Sequence, residues 1–179
     1  WFSKGLWLLE AKKVKGVSAE THSFLHSNRA FAYVKLGRWA DAEKDSCAAL
    51  ELNRQNHKAR YRRALARFEL GRAADALADV ESVLKVLPAA QAQEAVELKQ
   101  RIEAKLKAPT SAEKAKPAEK AKPAEKAKPA DPPAAGGDGG DPFPDITIEH
   151  NRDGVETAKN AGNTLFSKGS FAESVRWFS

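Results

Sequence analysis

The stretch His-Lys-Ala-Arg-Tyr-Arg-Arg-Ala, residues 57–64, lies in the second of two segments that match each other at a fixed offset of 34 residues. The matching pairs are Asn28 with Arg62, Ala30 with Ala64, Gly37 with Gly71, Ala42 with Ala76, and Leu50 with Leu84. A period near 34 residues with helical patterning predicts an array of helical repeats. Function is therefore expected on the surface that stacked repeats share.

Two helix-turn-helix hairpins follow from this period. The first spans residues 19–53 with its turn at Gly37, and the second spans residues 57–87 with its turn at Gly71. Small alanines fall where the helices of each hairpin must cross closely, and larger apolar residues fill the space between them. A further amphipathic helix over residues 89–107 has a charged outer face, which favours a capping helix that closes the array.

The two ends of the chain read as the two parts of another repeat. Residues 153–179 resemble the first helix of a repeat, with Gly169 at the turn position, followed by the start of a second helix. Residues 1–15 form an amphipathic pattern with no capping residue, and the chain both begins and ends with Trp-Phe-Ser. A split first repeat is predicted, through circular permutation, exchange of residues 153–179 between associating chains, or excision from a longer tandem array.

The segment between the repeats has a different composition. Residues 112–129 contain three copies of Ala-Glu-Lys-Ala-Lys-Pro, and a Gly/Asp/Pro-rich stretch follows. Regular proline prevents a long helix, and few apolar residues are present to be buried. The predicted organisation is 1–107 for helix 1B, repeats 2 and 3 and the capping helix, 108–152 for a disordered linker, and 153–179 for helix 1A and the start of helix 1B.

Charge and cysteine content restrict the class of partner and compartment. The net charge is +6, and residues 1–107 hold 20 Lys and Arg against 13 Asp and Glu, so an acidic partner is expected. The single cysteine, Cys47, excludes an internal disulfide and suits a reducing compartment. No apolar run has the length of a membrane span. We expect a soluble, cytoplasmic protein.

Three short motifs lie on the first helices of the repeats: Ala-Lys-Asn-Ala-Gly-Asn at 158–163, Ser-Asn-Arg-Ala at 27–30, and Lys-Ala-Arg-Tyr-Arg-Arg at 58–63. They resemble the carboxylate-clamp tetratricopeptide repeat (TPR) domains of heat-shock protein co-chaperones. In that family, five side chains on the first helices hold the terminal carboxylates of a bound peptide. The matching residues here are Lys159, Asn163, Asn28, Lys58 and Arg62.

The resemblance implies an all-α TPR solenoid of three helix-turn-helix repeats plus a capping helix. It also implies a co-chaperone or adaptor that binds the C-terminal Glu-Glu-Val-Asp tails of heat-shock protein 70 and 90 chaperones. Residues four apart share one helix face, so Lys58 with Arg62, and Lys159 with Asn163, are expected to project together.

Three further residues complete the predicted groove. Phe166 and Phe31 each follow a clamp asparagine by three residues, and Lys35 follows Asn28 by seven. Their helical spacing places them on the same faces as the clamp residues, where they could line a pocket for an aliphatic side chain of the peptide.

Other functions have weaker support in the sequence. A generic TPR scaffold that binds an internal segment of an assembly partner is the main alternative. A cluster of arginines over residues 60–67 could suggest nucleic acid, but no recognition motif accompanies it. His22, His26, His57 and His150 lack metal-ligand spacing with one another or with Cys47. We therefore expect no enzyme activity, no cofactor and no metal site.

Overall fold

A computed structural model describes residues 1–11, 14–88, 92–107 and 145–175. Within these ranges the chain forms eight helices and no strand, which confirms the predicted all-α solenoid. None of these helices combines the length and the apolar character needed to cross a bilayer. The helices are α1 (Phe2–Glu10), α2 (Ala19–Lys35), α3 (Trp39–Leu52), α4 (His57–Glu69), α5 (Ala73–Leu84), α6 (Gln93–Lys107), α7 (Arg152–Ser167) and α8 (Phe171–Val175).

The helices stack in the order that a repeat array requires. From α2 to α6, each helix packs on the one that follows it in the chain. Helix α7 packs on α8 and on α1. The first helices of the hairpins also touch one another, α7 against α2 and α2 against α4, and α4 touches α6. These four helices therefore line one side of the stack, and the predicted clamp residues lie on three of them.

Each hairpin turns at a glycine in the same conformation. Gly37, Gly71 and Gly169 have φ values of 70°, 82° and 81°. Positive φ is the left-handed region that glycine adopts without the strain of a Cβ atom. The shared turn supports the alignment of residues 153–175 with the two complete hairpins.

A buried ion pair joins the two helices of each complete hairpin. Arg29 donates from Nε and Nη2 to the two carboxylate oxygens of Asp45, at 2.6 and 2.7 Å. Arg63 makes the same pair of bonds with Asp79, at 2.9 and 2.6 Å. Although burial favours the neutral acid, the Arg29 guanidinium holds the pKa of Asp45 below its usual range. These pairs were not predicted from the sequence, although the two arginines, like the two aspartates, are 34 residues apart.

The two chain ends, which the sequence predicts to form a split repeat, contact each other in the structure. The backbone nitrogen of Trp1 donates to the Ser174 carbonyl oxygen at 3.1 Å, and Ser3 Oγ donates to the Val175 carbonyl oxygen at 2.7 Å. Helix α1 therefore begins where α8 ends. Residues 176–179, which include the second Trp-Phe-Ser, lie outside the described residues.

The predicted linker ends earlier than residue 152. Ile146 is only 3% exposed, and Ile148 packs against the apolar cluster around Phe2 and Val155. The side chain of Asn151 then caps α7 by accepting a hydrogen bond from the Gly154 backbone nitrogen at 2.9 Å. Residues 145–151 therefore pack against the helices through the apolar side chains of the two isoleucines. Residues 108–144 of the predicted linker, and residues 89–91 before the capping helix, lie outside the described residues.

Helices α7 and α1 approach each other closely at Gly162. A Cβ atom built on Gly162 would lie 2.5 and 2.6 Å from two ring carbons of Phe2, a residue that is fully buried. Only the absence of a side chain therefore allows this contact.

We expect the Gly162→Ala variant to lower the free energy of unfolding by about 1–3 kcal/mol, because the added methyl group overpacks the contact with Phe2. The measurement is urea denaturation followed by far-UV circular dichroism. Asn160→Ala, on an exposed position of α7, is the matched control and should change stability by less than about 0.5 kcal/mol. Phe2→Leu should partly rescue Gly162→Ala. A stabilising Gly162→Ala, by about the 1 kcal/mol that alanine gains in a free helix, would contradict this packing.

Candidate peptide-binding groove

A chain of hydrogen bonds joins three of the predicted clamp residues across three helices. Asn28 of α2 donates from Nδ2 to Asn163 Oδ1 of α7 at 3.0 Å. Arg62 of α4 donates from Nη1 toward Asn28 Oδ1 at 3.5 Å. Asn28 and Asn163 lie 135 residues apart in the chain, so the packing of α7 on α2 brings this part of the site together.

The predicted pocket residues surround the ring of Phe31. Phe166 packs on Phe31 with ring centroids 4.7 Å apart and planes tilted by 30°. The Arg62 guanidinium carbon lies 4.6 Å from the Phe31 ring centroid, and Lys35 Nζ lies 5.2 Å from it. Cations within about 6 Å of an aromatic face are attracted to it. Phe31 therefore links the polar part of the site to an apolar part.

A cavity of about 250 Å³ opens beside the clamp residues of α4. This volume is below the range of about 300–1,000 Å³ that is typical of small-molecule sites, which suits a side chain rather than a whole ligand. The cavity is lined by Lys58, Arg62, Phe31, His57, Tyr61, Leu65, Leu87, Glu94 and Ala95.

The two predicted clamp lysines differ in their surroundings. Lys58 is exposed and makes no ion pair with any residue in the described ranges. Lys159, one turn before Asn163 on α7, forms an ion pair with Glu156. The charge of Lys159 is therefore partly balanced by its own helix, while the charge of Lys58 is available to a ligand.

Arg62 is a cation held among neutral groups. Its Nη1 donates to the Ser27 carbonyl and hydroxyl oxygens, the latter at 2.6 Å, and no carboxylate contacts it among the residues that the structure describes. Burial lowers the pKa of the Arg62 guanidinium to about 10. Desolvation of a cation without an opposite charge costs free energy, and a bound anion would offset that cost.

Sequence reasoning missed several residues of the groove. His57, Tyr61 and Leu65 follow one face of α4 at four-residue spacing, a signal that could have been found from the sequence. Glu156 precedes Lys159 by three residues on α7, so this acidic neighbour could also have been found from the sequence. Glu94 belongs to α6, and only the packing of the helices brings it beside the cations of α4.

Comparison with known proteins finds a partial likeness. A stretch of 75 residues is 43% identical to RNA polymerase II-associated protein 3 of Mus musculus and of Homo sapiens, and 41% identical to the protein of the same name in Rattus norvegicus. The match covers 41% of this chain and 11% of each relative, so the chain spans a small part of their length. No protein-family model matches the chain.

Arg62 and Arg63 are neighbours on α4 that differ in their partners: Arg62 has no carboxylate partner among the described residues, whereas Arg63 pairs with Asp79. Substitution of each arginine tests this difference. We expect Arg62→Met to change the free energy of unfolding by less than about 1 kcal/mol, because the lost hydrogen bonds are offset by relief from desolvation. Arg63→Met should cost about 3 kcal/mol, because it leaves the buried Asp79 carboxylate with Arg67 as its remaining ion-pair partner. Both values come from urea denaturation by circular dichroism, and equal losses would refute the distinction.

Proposed function

We propose that this chain is a protein-interaction module that captures acidic C-terminal tails ending in Glu-Glu-Val-Asp, as carried by heat-shock protein 70 and 90 chaperones. The stacked helical hairpins support a role in protein interaction, because such arrays offer extended surfaces for binding. The observation that carries the finer proposal is the desolvated Arg62 cation, which lacks an anionic partner among the described residues.

A peptide carboxylate is the ligand that best fits the donors of the groove. Arg62 and Lys58 supply charged donors from α4, and the amides of Asn28 on α2 and Asn163 on α7 supply neutral donors. A terminal Asp residue has two carboxylates, so it offers acceptors to several of these groups at once. The carboxylate would replace the weak 3.5 Å contact between Arg62 and Asn28 with a charge-assisted bond.

The adjacent cavity fits the aliphatic side chain that precedes the terminal residue of such a tail. The aromatic rings of Phe31 and Tyr61 and the side chain of Leu65 provide apolar walls. Two or three charge-assisted hydrogen bonds, at about 1.5–3 kcal/mol each, together with this apolar contact are consistent with an affinity of about −8 kcal/mol, or about micromolar. Lys159 would contribute by turning from Glu156 toward the ligand.

A second candidate is a scaffold that binds an internal segment of an assembly partner. The observation that favours it is the likeness to proteins named for their association with RNA polymerase II. An internal segment has no terminal carboxylate, so the two candidates predict different ligands for the same groove.

Calorimetry with two peptides separates these candidates. A short peptide ending in Glu-Glu-Val-Asp should bind, and its C-terminally amidated twin should bind at least tenfold more weakly, because amidation removes one of the two carboxylates. Equal binding of both peptides, or binding of neither, would contradict the proposal.

Substitution of the clamp residues should weaken peptide binding without unfolding the protein. We expect Lys58→Ala and Arg62→Met each to lower the affinity at least tenfold, or about 1.4 kcal/mol, as measured by calorimetry. Lys44→Ala removes an exposed lysine of α3 and is the matched control for charge. Circular dichroism checks that each variant is folded. An unchanged affinity in Lys58→Ala and Arg62→Met would refute the assignment of these residues.

A further inference from the structure

A cluster of metal-ligand side chains lies outside the groove, where α1 packs on α2. One ligand atom each from Glu10, His22 and His26 lies within 4.8 Å of the other two. The geometry points to a site for a divalent transition-metal ion such as Zn²⁺, bound by these three side chains. The inference is independent of the proposed peptide groove.

The distances suit a metal of this kind. Oε1 of Glu10 lies 3.3 Å from His26 Nε2 and 3.7 Å from His22 Nε2. Zinc bonds of about 2.0–2.1 Å to nitrogen and oxygen in a tetrahedral arrangement place neighbouring ligand atoms about 3.4 Å apart. The two imidazole rings are one helical turn apart and nearly parallel, with centroids separated by 5.1 Å. Small side-chain rotations would therefore bring all three atoms to one ion.

The environment of His22 Nε2 supports a metal site. His22 Nε2 is buried and has no hydrogen-bond partner among the residues that the structure describes, and its 3.7 Å separation from Glu10 exceeds the length of a hydrogen bond. A buried polar atom without a partner is unusual in a folded protein. Coordination of a metal ion would satisfy this atom.

A carboxylate already orients the second histidine. His26 Nδ1 lies 3.2 Å from Asp45 Oδ1, and Asp45 is itself held by Arg29. Metal-binding histidines commonly donate their other ring N–H to a carboxylate, which fixes the tautomer and the ring orientation. Here this arrangement would leave His26 Nε2 directed at Glu10 and available to the ion.

The donor set selects the class of ion. Two imidazole nitrogens and one carboxylate oxygen suit Zn²⁺ and related transition metals, whereas Mg²⁺ and Ca²⁺ prefer oxygen ligands alone. Three protein ligands leave a fourth position open, and Glu10, which is 44% exposed, lies on the solvent side. The ion would join α1 to α2 and so stabilise the packing of these two helices.

Calorimetric titration with ZnCl₂ at pH 7.5 tests the site. We expect saturable binding of one Zn²⁺ per chain, no binding of Mg²⁺, and visible absorption bands of tetrahedral Co²⁺ when Co²⁺ replaces Zn²⁺. Hydrogen exchange should slow in α1 and in the first turns of α2 when Zn²⁺ is added. Absence of saturable Zn²⁺ binding would overturn the inference.

Variants locate the ion. His22→Gln and Glu10→Gln should each weaken Zn²⁺ binding at least tenfold. Because His22 Nε2 makes no hydrogen bond within the described part of the chain, His22→Gln should leave the metal-free melting temperature nearly unchanged. His150→Gln, outside the cluster, and Cys47→Ser, which removes the one thiol, should bind Zn²⁺ as the parent chain does. Equal binding by the His22→Gln variant, or loss of binding in Cys47→Ser, would overturn the inference.

Discussion

The contact between Gly162 and the Phe2 ring is the constraint on which the groove depends. It lets α7 lie directly against α1, and the terminal hydrogen bonds of Trp1 and Ser3 then align α1 with α8. Because α7 also touches α2, this docking places Asn163 beside Asn28. Without it, the predicted site would keep only the residues of α2 and α4. The proposed ligand-binding surface therefore depends on packing between the chain ends.

Arg62 and Arg63 are adjacent on α4 but make different electrostatic contacts. Arg63 faces α5 and is bound bidentately by Asp79, as Arg29 is by Asp45 in the preceding hairpin. Arg62 faces α2 and meets only neutral acceptors among the described residues. The arginine–aspartate pairs link the two helices of each hairpin, and the charge of Arg62 remains available to the proposed ligand. Adjacent positions on a helix point in different directions, so this division follows from helix geometry.

Much of the fold could be predicted because its signals are local or periodic. The 34-residue offset fixed both hairpins, and glycine at positions 37, 71 and 169 marked the turns that the structure contains. The structure also brings Asn28, Asn163 and Arg62 together, which the resemblance to clamp domains led us to expect. Ile146 and Ile148 already indicate in the sequence that the end of the predicted linker could dock near the last helices, and the structure buries Ile146. Glu156 precedes Lys159 by three residues on the same helix, so this ion pair was missed although its spacing was visible in the sequence. The Glu10–histidine cluster was missed because spacing alone does not say that Glu10 of α1 faces His22 and His26 of α2.

The sequence by itself determined the helices, their turns and the period of the array, because these depend on side chains within one or two helical turns. Only the tertiary structure decided which distant groups meet. Closure of the first repeat joins residues more than 170 positions apart, the link between Asn28 and Asn163 spans 135, and the Glu10–His26 contact crosses from α1 to α2. Such contacts depend on whether side chains fit where helices meet, as Phe2 fits against Gly162. Tertiary packing also decides which charges are buried without an opposite charge, as at Arg62 among the described residues.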